Sequence, residues 1–76
     1  MPRTDCYKHA SITPDDTANL DQLAFIYVGG DGNIAIVTKD DTVVTYVGVS
    51  AGDILPILAK RVNATDTTAT NLVAMW

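Results

Sequence analysis

FIYVGGDGNIAIV, residues 25–37, is compatible with two folds that exclude each other. Gly30-Asp31-Gly32-Asn33-Ile34-Ala35 matches G-x-G-x-x-A, the fingerprint of a dinucleotide-binding turn. That turn must open a helix, because the unpaired N–H groups of a helix N-terminus hold the pyrophosphate. Here Gly32 is followed by Asn33-Ile34-Ala35-Ile36-Val37-Thr38 and then Lys39-Asp40-Asp41, which read as a strand and a turn. No crossover to a parallel strand fits in that space. The stretch therefore reads as two strands joined by a hairpin turn at Asp31-Gly32, with Gly accepting a positive φ.

The rest of the chain agrees with strands. All nine acidic residues are Asp and none is Glu. Asp favours turns and caps, whereas Glu is at ease inside helices. Thr and Val are abundant, as strands require. Ala24 to Val28 is an apolar run with the length of a strand covered on both faces. Asn33 to Thr38 and Thr42 to Val49 follow, joined by Lys39-Asp40-Asp41, and the three together predict an antiparallel meander. Ser50-Ala51-Gly52-Asp53 turns the chain into Ile54 to Asn63, where Pro56 predicts an edge strand or a bend. A helix over Ile54 to Val62, capped by Asp53 with Pro56 in its first turn, is the competing reading there. Thr67 and Thr68 lead into a last strand, Ala69 to Trp76. Residues 1–10 form an extended N-terminal arm, either disordered or strapped onto a neighbour, with a short strand at Ala10 to Thr13; residues 11–76 form one domain. The predicted fold class is all-β, a small antiparallel β-sandwich or barrel.

Composition narrows the function. A chain of 76 residues buries only about 60% of its unfolded surface, so chains of this size usually add a disulfide, a metal or a partner. One Cys and one His leave neither an intramolecular disulfide nor a Cys/His zinc set, and no cofactor is expected. Association between copies is the remaining route, and a hydrophobic content of 47% fits it. A net charge of −4, with Arg3, Lys8, Lys39, Lys60 and Arg61 dispersed, argues against a nucleic-acid partner. No run approaches the ~20 apolar residues of a membrane span, and Met1 to Asp5 is too polar for a signal peptide, so no membrane partner and synthesis in the cytoplasm are expected.

Other motifs read as ordinary turns. Gly48-Val49-Ser50-Ala51-Gly52 matches the G-x-S-x-G nucleophile elbow, but that elbow needs a large α/β sheet and a His later in the chain, whereas His9 lies upstream. Asp15-Asp16, Asp31 with Asn33, and Asp40-Asp41 lack the loop spacing of a calcium site and read as turn caps. Asn63-Ala64-Thr65 is a glycosylation triplet without a secretion signal. Tyr7, Phe25, Tyr27, Tyr46 and Trp76 are not interleaved with cations and read as core or interface aromatics. No catalytic residue is expected.

Five pieces, taken in order, carry a resemblance: Ser11 to Thr17, Ile26 to Asn33, Thr42 to Gly52, Ile54 to Ile57 with Lys60-Arg61-Val62, and Thr67 to Ala74. Over about residues 11 to 76 the chain resembles small virion proteins of tailed bacteriophages and the head spike base protein of gene-transfer agents. The resemblance implies a structural protein of a virion, without enzymatic activity and made in the bacterial host cytoplasm. Such relatives include longer chains, so a bare decoration or cement module on the outer head is expected, with a spike base or a tail or neck component as alternatives. The implied partners are the major capsid protein and other copies of the chain, in a trimer at the junction of three capsomers or a pentamer at a vertex. A rival reading is a module binding host-surface carbohydrate or protein through Tyr46 or Trp76. The candidate interface residues are Arg3, Tyr7, Pro56, Lys60, Arg61 and Trp76, drawn from the arm, the proline-marked strand and the C-terminus.

Overall fold

The computed structural model describes residues 6–20 and 22–76. It contains six strands: β1 (His9–Ser11), β2 (Ala24–Tyr27), β3 (Gly32–Thr38), β4 (Val43–Val49), β5 (Ile54–Asn63) and β6 (Val73–Met75). They form one sheet in the order β1-β6-β2-β5-β3-β4, and every neighbouring pair is antiparallel. The all-β expectation holds, realised as a single sheet that curls around its core rather than as two stacked sheets.

The strand order corrects the predicted meander. Only β3 and β4 are both consecutive and paired, through a three-residue turn in which the Thr38 carbonyl accepts from the Asp41 N–H at 2.9 Å and the Thr38 N–H donates to the Thr42 carbonyl at 3.1 Å. Asp41 takes a φ of 66°, the left-handed position that closes such a loop. β5 separates β2 from β3, so Asp31-Gly32 links strands that do not pair and is not a hairpin turn. Gly32 opens a strand, and the phosphate-cradle geometry does not arise.

The glycines serve a different purpose. Gly29 and Gly30 donate to the carbonyls of Asn71 (3.1 Å) and Thr70 (2.8 Å), and the Thr70 N–H returns a bond to Gly30. The N–H groups of Thr68 and Ala69 both donate to the Asn33 carbonyl. A Cβ at Gly29 would lie 2.5 Å from the Asn71 oxygen, and one at Gly32 would lie 2.7 Å from the Ala69 nitrogen. Only a chain without side chains here lets residues 68–71 lie against the β2–β3 link and close the curl. The expected strand Ala69 to Trp76 is accordingly divided: 69–72 straps the sheet, and only 73–75 joins it as β6.

Of the two readings of Pro56, the bend holds and the edge does not. β5 is an inner strand, not an edge and not a helix. Ala24 pairs with Ala59 and Ile26 with Leu55, so the β5 residues between them bulge opposite Phe25. β3 begins to pair only at Ala59, so the missing Pro56 N–H costs no ladder bond on either side.

The core is one cluster of Ile26, Val28, Ile34, Ile36, Val49, Leu55, Ala59, Val62, Ala69 and Leu72. Ile26, Ile34 and Ile36 are the largest fully buried side chains, each worth about 1.5–3 kcal/mol of transfer free energy. The loop between β1 and β2 covers the second half of β5, with Asp15 and Leu20 donating backbone bonds to the Val62 and Lys60 carbonyls.

Candidate interaction surface

The acidic residues of the turns hold the chain to itself. Asp15 accepts from the Thr17 N–H (2.8 Å), the Thr17 hydroxyl (2.9 Å) and the Ala18 N–H (3.0 Å). Asp16 reaches across the fold to the Thr65 N–H and hydroxyl at 2.9 and 2.7 Å. Asp40 accepts from the Thr38 hydroxyl and the Thr42 N–H inside the β3–β4 turn. These bonds favour the charged form and hold all three carboxyls below the usual carboxylate range. The backbone N–H of Thr17 contributes most for Asp15, that of Thr65 for Asp16, and the Thr38 hydroxyl for Asp40.

The nucleophile-elbow match resolves into a turn. Ser50 donates its N–H to the Asp53 carboxylate at 2.8 Å, and Gly48 and Gly52 take φ values of 74° and 93°. Ser50 lies in the β4–β5 turn, held by the bonds of Gly52 and Asp53 to Val28, whereas His9 lies on β1, whose one strand neighbour is β6.

The six candidate interface residues fall into separate places. Arg3 lies outside the described residues. Tyr7 is 87% exposed, and its N–H and that of Lys8 both donate to the Trp76 carbonyl, so the described part of the arm runs beside the C-terminus. Trp76 is half-buried, with its indole N–H enclosed and without a partner among the described residues. Pro56 is exposed at an open apolar groove of about 730 Å³ bordered by Leu23, Thr38, Asp40, Ile57 and Leu58. Lys60 forms an ion pair with Asp41 at the end of the β3–β4 turn. Arg61 donates to Asn63 at 2.8 Å and to Asn19 at 3.2 Å, tying the β1–β2 loop to β5. Tyr7 and Trp76 thus form one patch, and Pro56 with Lys60 a second near the β3–β4 turn.

The sequence reading missed one apolar exposure. β4 is an edge strand on which Val43, Val44 and Val47 are 50%, 51% and 77% exposed. Its signal was present: from Thr42 to Gly52 the chain carries no charge, its longest such stretch. Strands of this composition usually bury at least one face, and here only Tyr46 and Val49 turn into the core.

Among the described residues no three His, Cys or Asp side chains gather as a metal-binding group, and no helix is long and apolar enough to cross a membrane. No protein-family model matches the chain, and no curated protein does. Among solved structures, the chain is similar to a chain of the capsid of a native gene-transfer-agent particle computed with C5 symmetry. The two are 36% identical, the match covers 93% of this chain and 83% of that one, and the TM-score is 0.85. The chain belongs to the family of that gene-transfer-agent capsid chain, and so to the structural proteins of phage-like capsids.

Proposed function

We propose that this protein is a decoration or cement protein on the outer surface of a phage-like head. It binds the major capsid protein and other copies of itself, and is made in the host cytoplasm before joining the particle. The observation that carries the reading is the 36% identity to a gene-transfer-agent capsid chain across nearly all of this sequence. The surface supports it. A domain this small, with exposed apolar side chains at Tyr7, Val47 and Leu58, gains stability from every copy it touches. Attachment over many equivalent sites lets weak individual contacts suffice. In a trimer at the junction of three capsomers, the Tyr7–Trp76 patch and the groove at Pro56 and Leu58 are the contact surfaces. Lys60 and Arg61 act by holding the turn and loop beside them.

A second reading, a spike base at the vertices, is favoured by the fivefold symmetry in which the related capsid was computed. The two readings differ in stoichiometry. Purified protein added back to particles lacking it will saturate at the number of capsomer junctions for a cement protein and at the number of vertices for a spike base. Cement predicts, in addition, a rise in the temperature at which heads release their contents. No binding to the particle would overturn both readings.

A further inference from the structure

We propose that β4 is a contact between two copies of this chain, which pair along it antiparallel about a two-fold axis through Thr45. The proposal goes beyond the capsid reading, because a two-fold contact along β4 is a separate surface from those assigned to a ring on the particle and concerns the chain free in solution.

Four observations carry it. First, β4 is an uncapped edge. Exposed edges are ordinarily blunted by charge, proline, shortness, a bulge or a covering element, and among the described residues β4 has none of these from Val43 to Tyr46, its one irregularity being a bulge at Val47-Gly48 opposite Asn33. The opposite edge, β1, is three residues long and follows Lys8.

Second, its free hydrogen-bonding groups have the right phase. The bond from Thr38 to the Thr42 carbonyl sets the alternation of the β3–β4 ladder, with Ile36↔Val44 and Ile34↔Tyr46 as its bonded pairs. The N–H and C=O groups of Val43 and Thr45 therefore turn to the open side, and the bulge at Val47-Gly48 ends this alternation.

Third, Val43-Val44-Thr45-Tyr46-Val47 complements itself in that phase. An axis through Thr45 sets Thr45 against its own copy, Val43 against Val47, and Val44 against Tyr46. These are β-branched and aromatic pairs of the kind that stabilise sheets.

Fourth, charge selects a copy of itself as the occupant. Two chains of net charge −4 repel, and pairing along Thr42 to Gly52 about Thr45 opposes no like charges. The resulting sheet runs continuously through both copies and covers Val43, Val44 and Val47, the apolar side chains that β4 leaves in solvent.

The test uses the whole chain in solution. Sedimentation equilibrium from about 1 to about 300 μM should give a mass rising to twice the 8.1 kDa of the monomer. Thr45→Lys places two ammonium groups face to face at the axis and should weaken association roughly 5-fold. Its circular dichroism should stay unchanged, because Thr45 is exposed. With Cys6→Ser as background, Thr45→Cys should cross-link into a dimer under mild oxidation, whereas Val43→Cys, which faces Val47, should not. A wild type that stays monomeric, a Thr45→Lys variant of unchanged mass, or equal cross-linking from both cysteine positions would each overturn the proposal. Particle binding, measured separately, would still decide the capsid reading.

Discussion

Replacing Gly29 by Ala adds one methyl group, and the fold has no room for it. The new carbon would meet the Asn71 carbonyl oxygen at 2.5 Å and the Asn71 Cβ at 2.7 Å, both closer than carbon tolerates. Neither obstacle is the loose end of a side chain, so the strap 68–71 must move away. Three bonds then lengthen: Gly29 to Asn71, Gly30 to Thr70, and Thr70 back to Gly30. At about 0.5–1.5 kcal/mol each, their loss alone amounts to roughly 1.5–4.5 kcal/mol. Ala69 and Leu72, buried on the same strap, would lose packing as well. A 76-residue domain has about 4–11 kcal/mol in total, so Gly29→Ala should remove a large share of its stability. Gly48→Ala is the control. It has a φ of 74° and nothing within 4 Å of the added carbon, so it should cost only the roughly 1–2 kcal/mol of a left-handed backbone. Urea unfolding followed by circular dichroism separates them. Equal midpoints for Gly29→Ala and wild type would refute the close approach of the strap, and with it the account of this glycine run.

Other outcomes follow from the same structure. Ile36→Ala, at a site 1% exposed in the central cluster, should cost about 2–5 kcal/mol by urea unfolding. Lys60→Met should cost less than about 1 kcal/mol, because Asp41 in that pair is 76% exposed. Asp15, Asp16 and Asp40 titrate below the ordinary value of 3.8 in the folded chain, so their stabilisation is present above that value and is lost as pH falls beneath it. The melting temperature should therefore hold from pH 7 to about 5 and drop below about 4, and Asp16→Asn should flatten part of that drop.

Strand positions were legible because they rest on local composition. β-branched runs between Asp- and Gly-rich turns marked β2 to β5 to within a residue or so. Their order was not legible, because a meander is the default for consecutive strands while this chain skips a neighbour at four of its five links. The glycine run carried the missing information, but the same glycines serve hairpins, phosphate loops and close backbone approach alike. Pro56 left two readings open for a related reason: proline excludes a ladder bond, and a bulge in an inner strand satisfies that as well as an edge does. At the surface, Tyr7 and Pro56 were named as candidate interface residues and are exposed, whereas the pairing of Lys60 with Asp41 and of Arg61 with Asn19 depends on contacts across the fold. The exposure of Val43, Val44 and Val47 depends on β4 being last in the sheet; the uncharged stretch from Thr42 to Gly52 marked the segment but not its place at the edge.

The capsid reading meets its most direct test in cryo-EM reconstructions of the parent particle with and without this protein. The account predicts that density the size of this domain disappears from the outer head at the junctions of capsomers, while the shell beneath is unchanged. Heads identical in the two reconstructions would contradict it.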